Sequence, residues 1–158
     1  MKHVITALVE NQPGVLARII GLISGRGYNI DSLNVAPTQD PSESRLTMTV
    51  PGDSKVLEQV IKQLNKLVDV IKVTDLTGTR YFNRELMLVE VAVTPSKRAE
   101  LVELSGLFGA SVVSVQPKSL TIQLTGDESK IADFLVLLKP FKLLDLSRTG
   151  VIAVAKGE

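Results

Sequence analysis

The segment Glu10–Leu16, ENQPGVL, carries the residue types best suited to binding a small ligand. An alternating apolar strand ends there and a helical pattern begins. N–H groups at a helix start, backed by the positive end of the helix dipole, bind carboxylate or phosphate groups. Gly14 has no side chain, so a ligand can approach the backbone. Asn11 offers one amide oxygen and two donors, enough to hold an ammonium and a carboxylate group at fixed spacing.

The same segment also fits an ordinary helix start. Pro13 suits the first helical position, where its missing N–H costs nothing. Asn11 or Gln12 would then serve as the N-terminal cap. The chemistry of these residues alone therefore leaves both a ligand site and a plain cap open.

The sole histidine and the glycine-rich helix end do not form sites of their own. His3 lies on a predicted strand with no second ligand or acid nearby in sequence, which favours a structural or surface role. Gly21, Gly25 and Gly27 lack the spacing of the dinucleotide-binding fingerprint and do not lie between a strand and the helix it feeds. We expect them to serve close packing and helix termination.

The charged residues allow two interpretations each. Asp40 and Glu43 could bind a divalent ion, although a polar surface loop explains them as well. Asp127-Glu128 is typical of a helix N-terminus with favourable placement in the dipole. Arg84-Glu85 and Arg148 could contact a partner protein or be solvated charges on a strand edge.

Hydrophobic periodicity predicts six elements in the first half of the chain, in the order βαββαβ. The apolar parity changes across Asp31-Ser32, and we interpret this change as a bulge. The predicted elements are a strand over 2–9, a helix ending at Gly25-Arg26-Gly27, a strand over 28–38, a strand around 46–50, a helix over 56–67 behind a Gly52-Asp53 cap, and a strand over 70–76.

The second half repeats this order, which predicts an α+β protein of two tandem ferredoxin-like domains. We assign 1–77 to the first domain, 78–83 to a linker and 84–158 to the second. Each sheet has one open face, so we expect at least a dimer, with packing of the two halves of one chain as the alternative. The predicted elements are strand 84–93, helix 96–108, strands 110–116 and 119–125, helix 127–138 and strand 142–154.

Composition narrows the functional classes. The 158 residues are 44% hydrophobic and 22% charged, as in a packed globular protein, and no apolar run of about 18 residues is present to span a bilayer. The absence of cysteine excludes a disulfide scaffold, a thiolate metal site and a cysteine nucleophile. A net charge of +1 and 4% aromatic residues argue against nucleic acid as a partner.

The N-terminus predicts a cytoplasmic protein. Met1-Lys2-His3 leads directly into the first strand, with neither a signal-peptide core nor an Arg/Ser-rich transit segment ahead of it. A plastid location stays open if a leader has been removed.

Beyond these patterns, Glu10–Leu16 resembles the E-N-x-x-G-x-L segment of ACT domains. Longer stretches resemble the small regulatory subunits of acetolactate synthase (acetohydroxyacid synthase). The resemblance covers the whole chain and is thinner from Thr94 to Leu138; Ser147–Gly150 approximates the family's A-R-S-G segment. The stretches that carry it are 26–33 (RGYNIDSL), 35–38 (VAPT), 44–47 (SRLT), 62–70 (KQLNKLVDV) and 84–89 (RELMLV).

This resemblance implies a non-catalytic protein that regulates branched-chain amino-acid biosynthesis. Subunits of this kind activate a large catalytic subunit and make it sensitive to valine, often also to leucine or isoleucine. Thiamine diphosphate, FAD and magnesium belong to the large subunit, so no cofactor, metal or catalytic residue is expected in this chain. Two alternatives are a stand-alone amino-acid-binding module that regulates another enzyme or transcription, and an enzyme on a ferredoxin-like fold, which lacks a nucleophile-base or metal constellation.

The resemblance also implies where the effector binds. The site lies between the ACT domains of a homodimer, with one chain contributing the segment from Asn11 to Leu16 and the other contributing Asn29 and Ile30. An apolar pocket with a few convergent polar groups is the usual form of such a site. The expected site residues are Asn11, Gln12, Pro13, Gly14, Val15, Leu16, Asn29 and Ile30.

Overall fold

The computed structural model describes residues 2–157 and divides into two compact units. The first unit extends from the N-terminal strand to Phe82 and also includes the final segment from Val151 onward; the second unit is Asn83–Gly150. This division differs from the predicted one, in which the final segment belongs to 84–158. Hydrophobic burial explains the difference, because Ala153 packs with Val4 and Leu76 of the first unit.

The first unit is a four-stranded antiparallel sheet with the strand order β2-β3-β1-β4. The βαββαβ order predicted from the sequence is confirmed. The final strand, β9, belongs to the same unit. The elements are β1 (Lys2–Glu10), α1 (Val15–Gly25), β2 (Ser32–Pro37), β3 (Glu43–Pro51), α2 (Ser54–Asn65), β4 (Val70–Asp75) and β9 (Ile152–Ala155).

Alternating residues of the central strands and one stripe of each helix form the first core. Ile5 and Ala7 of β1 lie opposite Met48 and Leu46 of β3, so all four point to the same face of the sheet. Helix α2 begins where Asp53 caps it by accepting a hydrogen bond from the Val56 N–H at 3.0 Å. The buried residues are Ile5, Ala7, Val9, Val15, Ile19, Ile23, Leu46, Met48, Val50, Leu57, Val60 and Leu64.

The second unit repeats this arrangement, with the strand order β6-β7-β5-β8; β5 begins with Tyr81 and Phe82 of the first unit, and β9 also pairs with β5. Its core, which includes Met87, Leu101 and Phe134, lies between one face of the sheet and the helices. The sequence therefore predicted both βαββαβ repeats and the ferredoxin-like class correctly. The elements are β5 (Tyr81–Ala92), α3 (Pro95–Leu107), β6 (Ser111–Gln116), β7 (Ser119–Gly126), α4 (Glu128–Leu137) and β8 (Lys142–Arg148).

Strand β2 is shorter than the predicted strand over 28–38. The Asp31 N–H donates to the carbonyl of Thr49, which also lies opposite Ser32, and this two-against-one arrangement is that of the bulge predicted across Asp31-Ser32. The pairing of β2 with β3 runs without a register shift from Ser32 to Pro37. Tyr28 and Ile30 pack against the core from the preceding loop. The change of apolar parity therefore falls at this irregularity, where the loop ends and the regular strand begins.

The predicted strand over 142–154 is two strands. Strand β8 ends at Arg148 and β9 begins at Ile152. Gly150 between them has a φ angle of +79°, a conformation outside the β region that glycine adopts without steric cost. Among residues 2–157, no helix has both the length and the apolar character needed to cross a bilayer.

Candidate functional site

The loop between β1 and α1 has a different structure from the predicted cap. Helix α1 begins at Val15, and the residue before it, Gly14, has a φ angle of +84°. Pro13 is therefore not the first helical residue, and neither Asn11 nor Gln12 is the cap. The chain makes one further turn, in which the Val15 N–H donates to the Gln12 carbonyl at 3.3 Å. Glycine permits this turn because its left-handed conformation carries no Cβ penalty.

The start of α1 can accept an anion. No side chain caps this helix, and its first turn contains no acidic residue. The first N–H groups of a helix have no partner within the helix and carry the positive end of its dipole. A carboxylate placed at this point would satisfy N–H donors without competing with a protein carboxylate.

Hydrogen bonds to carbonyls of two other segments fix the loop in place. The Glu10 N–H donates to the Asp69 carbonyl at 2.9 Å, in the connection between α2 and β4. The Asn11 N–H donates to the Ser42 carbonyl at 2.8 Å, and Asn11 Nδ2 donates to the Pro41 carbonyl at 2.9 Å. The turn between β2 and β3 therefore positions Asn11 through its backbone N–H and its side-chain Nδ2.

A cavity of about 230 Å³ lies between the start of α1 and the strands β1, β2 and β3. Its volume is below the roughly 300 Å³ at which drug-sized ligand sites begin, so it suits a small molecule. Val9, Val15, Ile19 and Leu46 are buried, while Leu16 and Val35 are each 38% exposed. The lining residues are Val9, Glu10, Asn11, Gln12, Val15, Leu16, Ile19, Val35, Ala36, Pro37, Ser44 and Leu46.

The cavity includes half of the residues predicted for the site. Asn11, Gln12, Val15 and Leu16 line it. Pro13 and Gly14 lie in the same loop but are not among the lining residues.

The other two predicted residues, Asn29 and Ile30, do not line the cavity of their own chain. They lie in the loop before β2, where Asn29 is exposed and its Nδ2 donates to Asp31 Oδ1 at 3.2 Å. Ile30 is half-buried against the core. Their assignment to the site of a second chain stays a prediction.

Sequence reasoning missed the lining residues contributed by the strands. Val35, Ala36 and Pro37 lie on β2, and Ser44 and Leu46 lie on β3. Their alternation showed which residues share a sheet face. It did not show that β2 and β3 lie together on the side of β1 that faces this cavity.

The turn between β2 and β3 explains Asp40 without a metal. Its Oδ1 accepts hydrogen bonds from the Ser42 hydroxyl at 2.7 Å and the Ser42 N–H at 3.0 Å. These two bonds lower the pKa of Asp40 below its ordinary value. Over residues 2–157, no group of three or more His, Cys, Asp or Glu side chains is placed to hold a metal ion.

The remaining candidates stabilise the fold. His3 is buried, and its Nε2 lies 3.0 Å from the Gly52 carbonyl oxygen. Glu85 is buried and accepts two hydrogen bonds from Arg148, which raise the pKa of that guanidinium. Asp127 caps α4, as predicted, by accepting the Lys130 N–H at 2.9 Å. The ion pair places Glu85 inside the second unit, whereas the sequence suggested a surface charge.

Comparison with known protein families gives a match for each half of the chain. Residues 5–72 match the family described as AHAS small subunit-like ACT domain. Residues 84–157 match the family described as small subunit of acetolactate synthase. The chain belongs to the acetolactate synthase small-subunit family. The resemblance stated from the sequence motifs is therefore confirmed.

Individual relatives agree with this assignment over at least 81% of their own length. The acetolactate synthase small subunit of Haemophilus influenzae is 45% identical over 100% of this chain and 98% of its own. That of Aquifex aeolicus is 48% identical over 98% of this chain and 81% of its own. The crystal structure of the small subunit from Thermotoga maritima superimposes with a TM-score of 0.90 at 33% identity, covering 100% of this chain and 99% of that chain.

Proposed function

We propose that this chain is the regulatory subunit of an acetolactate synthase. It binds the large catalytic subunit, raises its activity and makes it sensitive to valine. Membership of the small-subunit family supports the partner. The observation that carries the effector site is the cavity beside the uncapped start of α1, which combines anion-binding backbone with an apolar wall.

The cavity provides a place for each part of a branched-chain amino acid. The carboxylate accepts hydrogen bonds from backbone N–H groups at the start of α1, where the helix dipole favours a negative charge. The aliphatic side chain packs among Val15, Leu16 and Val35. The ammonium group donates to the Asn11 amide oxygen, since Nδ2 of the same amide is directed to Pro41.

A second copy of the chain completes the site. Strand β2 is an outer strand of its sheet, so Val35 and Leu16 at the cavity lie beside an edge that another chain can cover. Asn29 and Ile30 of that second chain supply further polar and apolar contacts to the effector. The active form is therefore a homodimer through the ACT domains.

Regulation follows from a difference in affinity between two arrangements of this dimer. Valine contacts both chains, so it stabilises the arrangement in which those contacts are made. The large subunit is sensitive to the same arrangement, and the two binding events are coupled by that shared preference. The chemistry and its cofactors, thiamine diphosphate, FAD and magnesium, belong to the large subunit.

Two measurements test this proposal. In the first, the full chain is titrated calorimetrically with valine, leucine and isoleucine, with alanine as a control that lacks the branched side chain. In the second, the chain is added to a purified acetolactate synthase large subunit, and acetolactate formation is measured with and without valine. We expect saturable binding of valine, activation by the chain and inhibition on adding valine. Binding without activation would favour a stand-alone amino-acid sensor, and no binding would exclude the effector site.

A further inference from the structure

The outer strands of the two sheets differ in charge. On one side of each sheet, the outer strand carries charged residues: β4 contains Lys72 and Asp75, and β8 contains Lys142, Asp145 and Arg148. On the other side, β2 (SLNVAP) and β6 (SVVSVQ) contain none. Charged side chains on an outer strand prevent it from pairing with other strands. The two uncharged edges lack this protection.

Strand β6 of the second unit is both uncharged and apolar. It is the outermost strand of its sheet, paired only with β7 among the described strands. Val112, Val113 and Val115 are 37%, 54% and 59% exposed. Such a β-branched, uncharged edge favours addition of another strand.

The helix next to β6 is also open on the side that faces this edge. Arg98 of α3 donates from Nη2 to the carbonyls of Gln116 and Pro117, at 3.1 and 2.9 Å, so this flank of the helix faces the end of β6. Val102, one turn further on the same flank, is 43% exposed. A Cβ added at Gly106 would meet no atom within 4 Å. A neighbouring helix can therefore approach α3 closely beside β6.

We infer that β6 and the adjoining flank of α3 form a surface that binds the same surface of a second copy of this chain. The sequence of β6 is self-complementary for an antiparallel pair. Val112 and Val115 lie opposite the buried Ile122 and Leu120 of β7, so both point to the helix face. Ser111, Ser114 and Gln116 lie opposite Gln123, Thr121 and Ser119 on the other face.

This alternation fixes the register. An antiparallel pair centred between Val113 and Ser114 places Val112 of each copy opposite Val115 of the other, and Ser111 opposite Gln116. The pairs Val112–Val115 and Ser111–Gln116 then each join side chains on the same face of the combined sheet, and the valine pairs are of the kind that stabilises sheets. Val113, which has no partner on β7, lies at the irregularity in the middle. A shift by one residue would place apolar side chains opposite polar ones.

The helices contribute the rest of the contact. Stable interfaces bury about 800 Å² per partner, which is more than one six-residue edge provides. A two-fold axis through the centre of the β6 pair brings the open flank of α3 in each copy next to that of the other. Val102 is then covered, and the interface is isologous, as in most homodimers. This surface belongs to the second unit and requires no effector.

Cysteine cross-linking tests both the surface and its register, because the natural chain contains no cysteine. Two full chains with different tags, one carrying Val112→Cys and the other Val115→Cys, are co-expressed and oxidised. We expect a disulfide between the two tags. Two chains that both carry Val112→Cys should cross-link poorly. In the proposed register residue 112 of one copy lies three positions along the strand from residue 112 of the other, about 10 Å away, which is beyond the reach of a disulfide. The matched control is the pair Leu144→Cys and Leu146→Cys on the charged edge β8. Cross-linking of the valine pair no stronger than this control would overturn the inference.

A second measurement does not depend on disulfide geometry. Val115→Lys places a charge on the proposed surface and should raise the dissociation constant for self-association at least tenfold in sedimentation equilibrium. Leu144→Lys changes an exposed apolar residue on β8, 47% exposed against 59% for Val115, and should leave the constant unchanged. Equal constants for Val115→Lys and the natural chain would exclude this surface.

Discussion

Arg18 Nε donates to Asp69 Oδ2 at 2.8 Å and thereby joins the first turn of α1 to the connection between α2 and β4. The carbonyl of the same Asp69 accepts the Glu10 N–H at the end of β1. Asp69 therefore holds both ends of the loop that contains the proposed effector site. The Arg18 side chain is half-exposed, so its charge contributes little to the stability of the fold.

Replacing Arg18 should therefore separate binding from stability. We expect Arg18→Gln to lower the free energy of unfolding by less than about 1 kcal/mol, as is usual for an exposed ion pair. The affinity for valine should fall by more than the free energy of unfolding does, because the loop at the start of α1 loses one of the contacts that hold it. Urea unfolding and calorimetric titration measure the two effects. Lys97→Gln, which removes the exposed Lys97–Glu100 pair of the second unit, is the matched control and should leave valine binding unchanged. Unaltered valine affinity in Arg18→Gln would show that this anchor has no role in the site.

The backbone at Gly14 changes how a substitution there must be designed. Its φ angle is +84°, and an added Cβ would lie 3.1 Å from Arg18 Nη1, so a side chain is strained there whatever its charge. Gly14→Asn is the appropriate control for Gly14→Asp, because both tolerate the left-handed conformation better than other residues and have nearly the same shape. We expect the Asp variant to bind valine at least tenfold more weakly than the Asn variant, since its carboxylate occupies the place of the effector's carboxylate. Equal affinities in calorimetry would contradict an anion site at this helix start.

Asn11 and Asn29 test whether the effector bridges two chains. Each single change to Ala should weaken valine binding by about 1 to 3 kcal/mol, because a buried polar group of the ligand loses its partner. In a heterodimer of the two variants, one site lacks both amides and the other is intact. Valine binding at half the natural stoichiometry is therefore expected in heterodimers isolated by two tags. If these heterodimers bind no better than the single variants, the site lies within one chain.

The order of elements could be predicted from the sequence because strand and helix periods differ clearly in this chain. The polar loop from Asn11 to Gly14 was also evident, since it interrupts two apolar patterns. The conformation of that loop was not evident from the sequence, because the left-handed Gly14 and the hydrogen bond from Asn11 to Pro41 depend on the neighbouring turn. The β2 and β3 walls of the cavity depend on the order of strands, which periodicity does not contain. The exposed valines of β6 have the composition of a core strand, and only the structure shows that they lie at an edge.

Asp127 should make the second unit sensitive to acid. The Lys130 N–H, followed by the Ser129 hydroxyl, lowers the pKa of this carboxyl in the folded state. A lowered pKa means that the stabilisation is complete above the unfolded value of about 3.9 and is lost as the pH falls through the folded value. We expect Asp127→Asn to lose less stability than the natural chain between pH 6 and pH 3 in urea unfolding. Ser129→Ala removes the hydroxyl donor and keeps the backbone hydrogen bond. Its pH dependence of stability should therefore differ less from that of the natural chain than the pH dependence of Asp127→Asn does. Identical pH profiles for Asp127→Asn and the natural chain would contradict this role.

The return of the final strand to the first unit gives the last prediction. Ala153 is 3% exposed and packs with Val4 and Leu76, whereas its neighbour Ile152 is 49% exposed. Ala153→Asp places a carboxylate in this cluster without a partner and should destabilise the first unit by several kcal/mol. Ile152→Asp is the matched control, one residue away on the exposed side, and should have little effect. Hydrogen exchange resolves the two units, and the Ala153 variant should lose protection in β1 and β4 while β7 keeps its own. Loss confined to β7, or equal behaviour of the two variants, would show that the final strand does not stabilise the first unit.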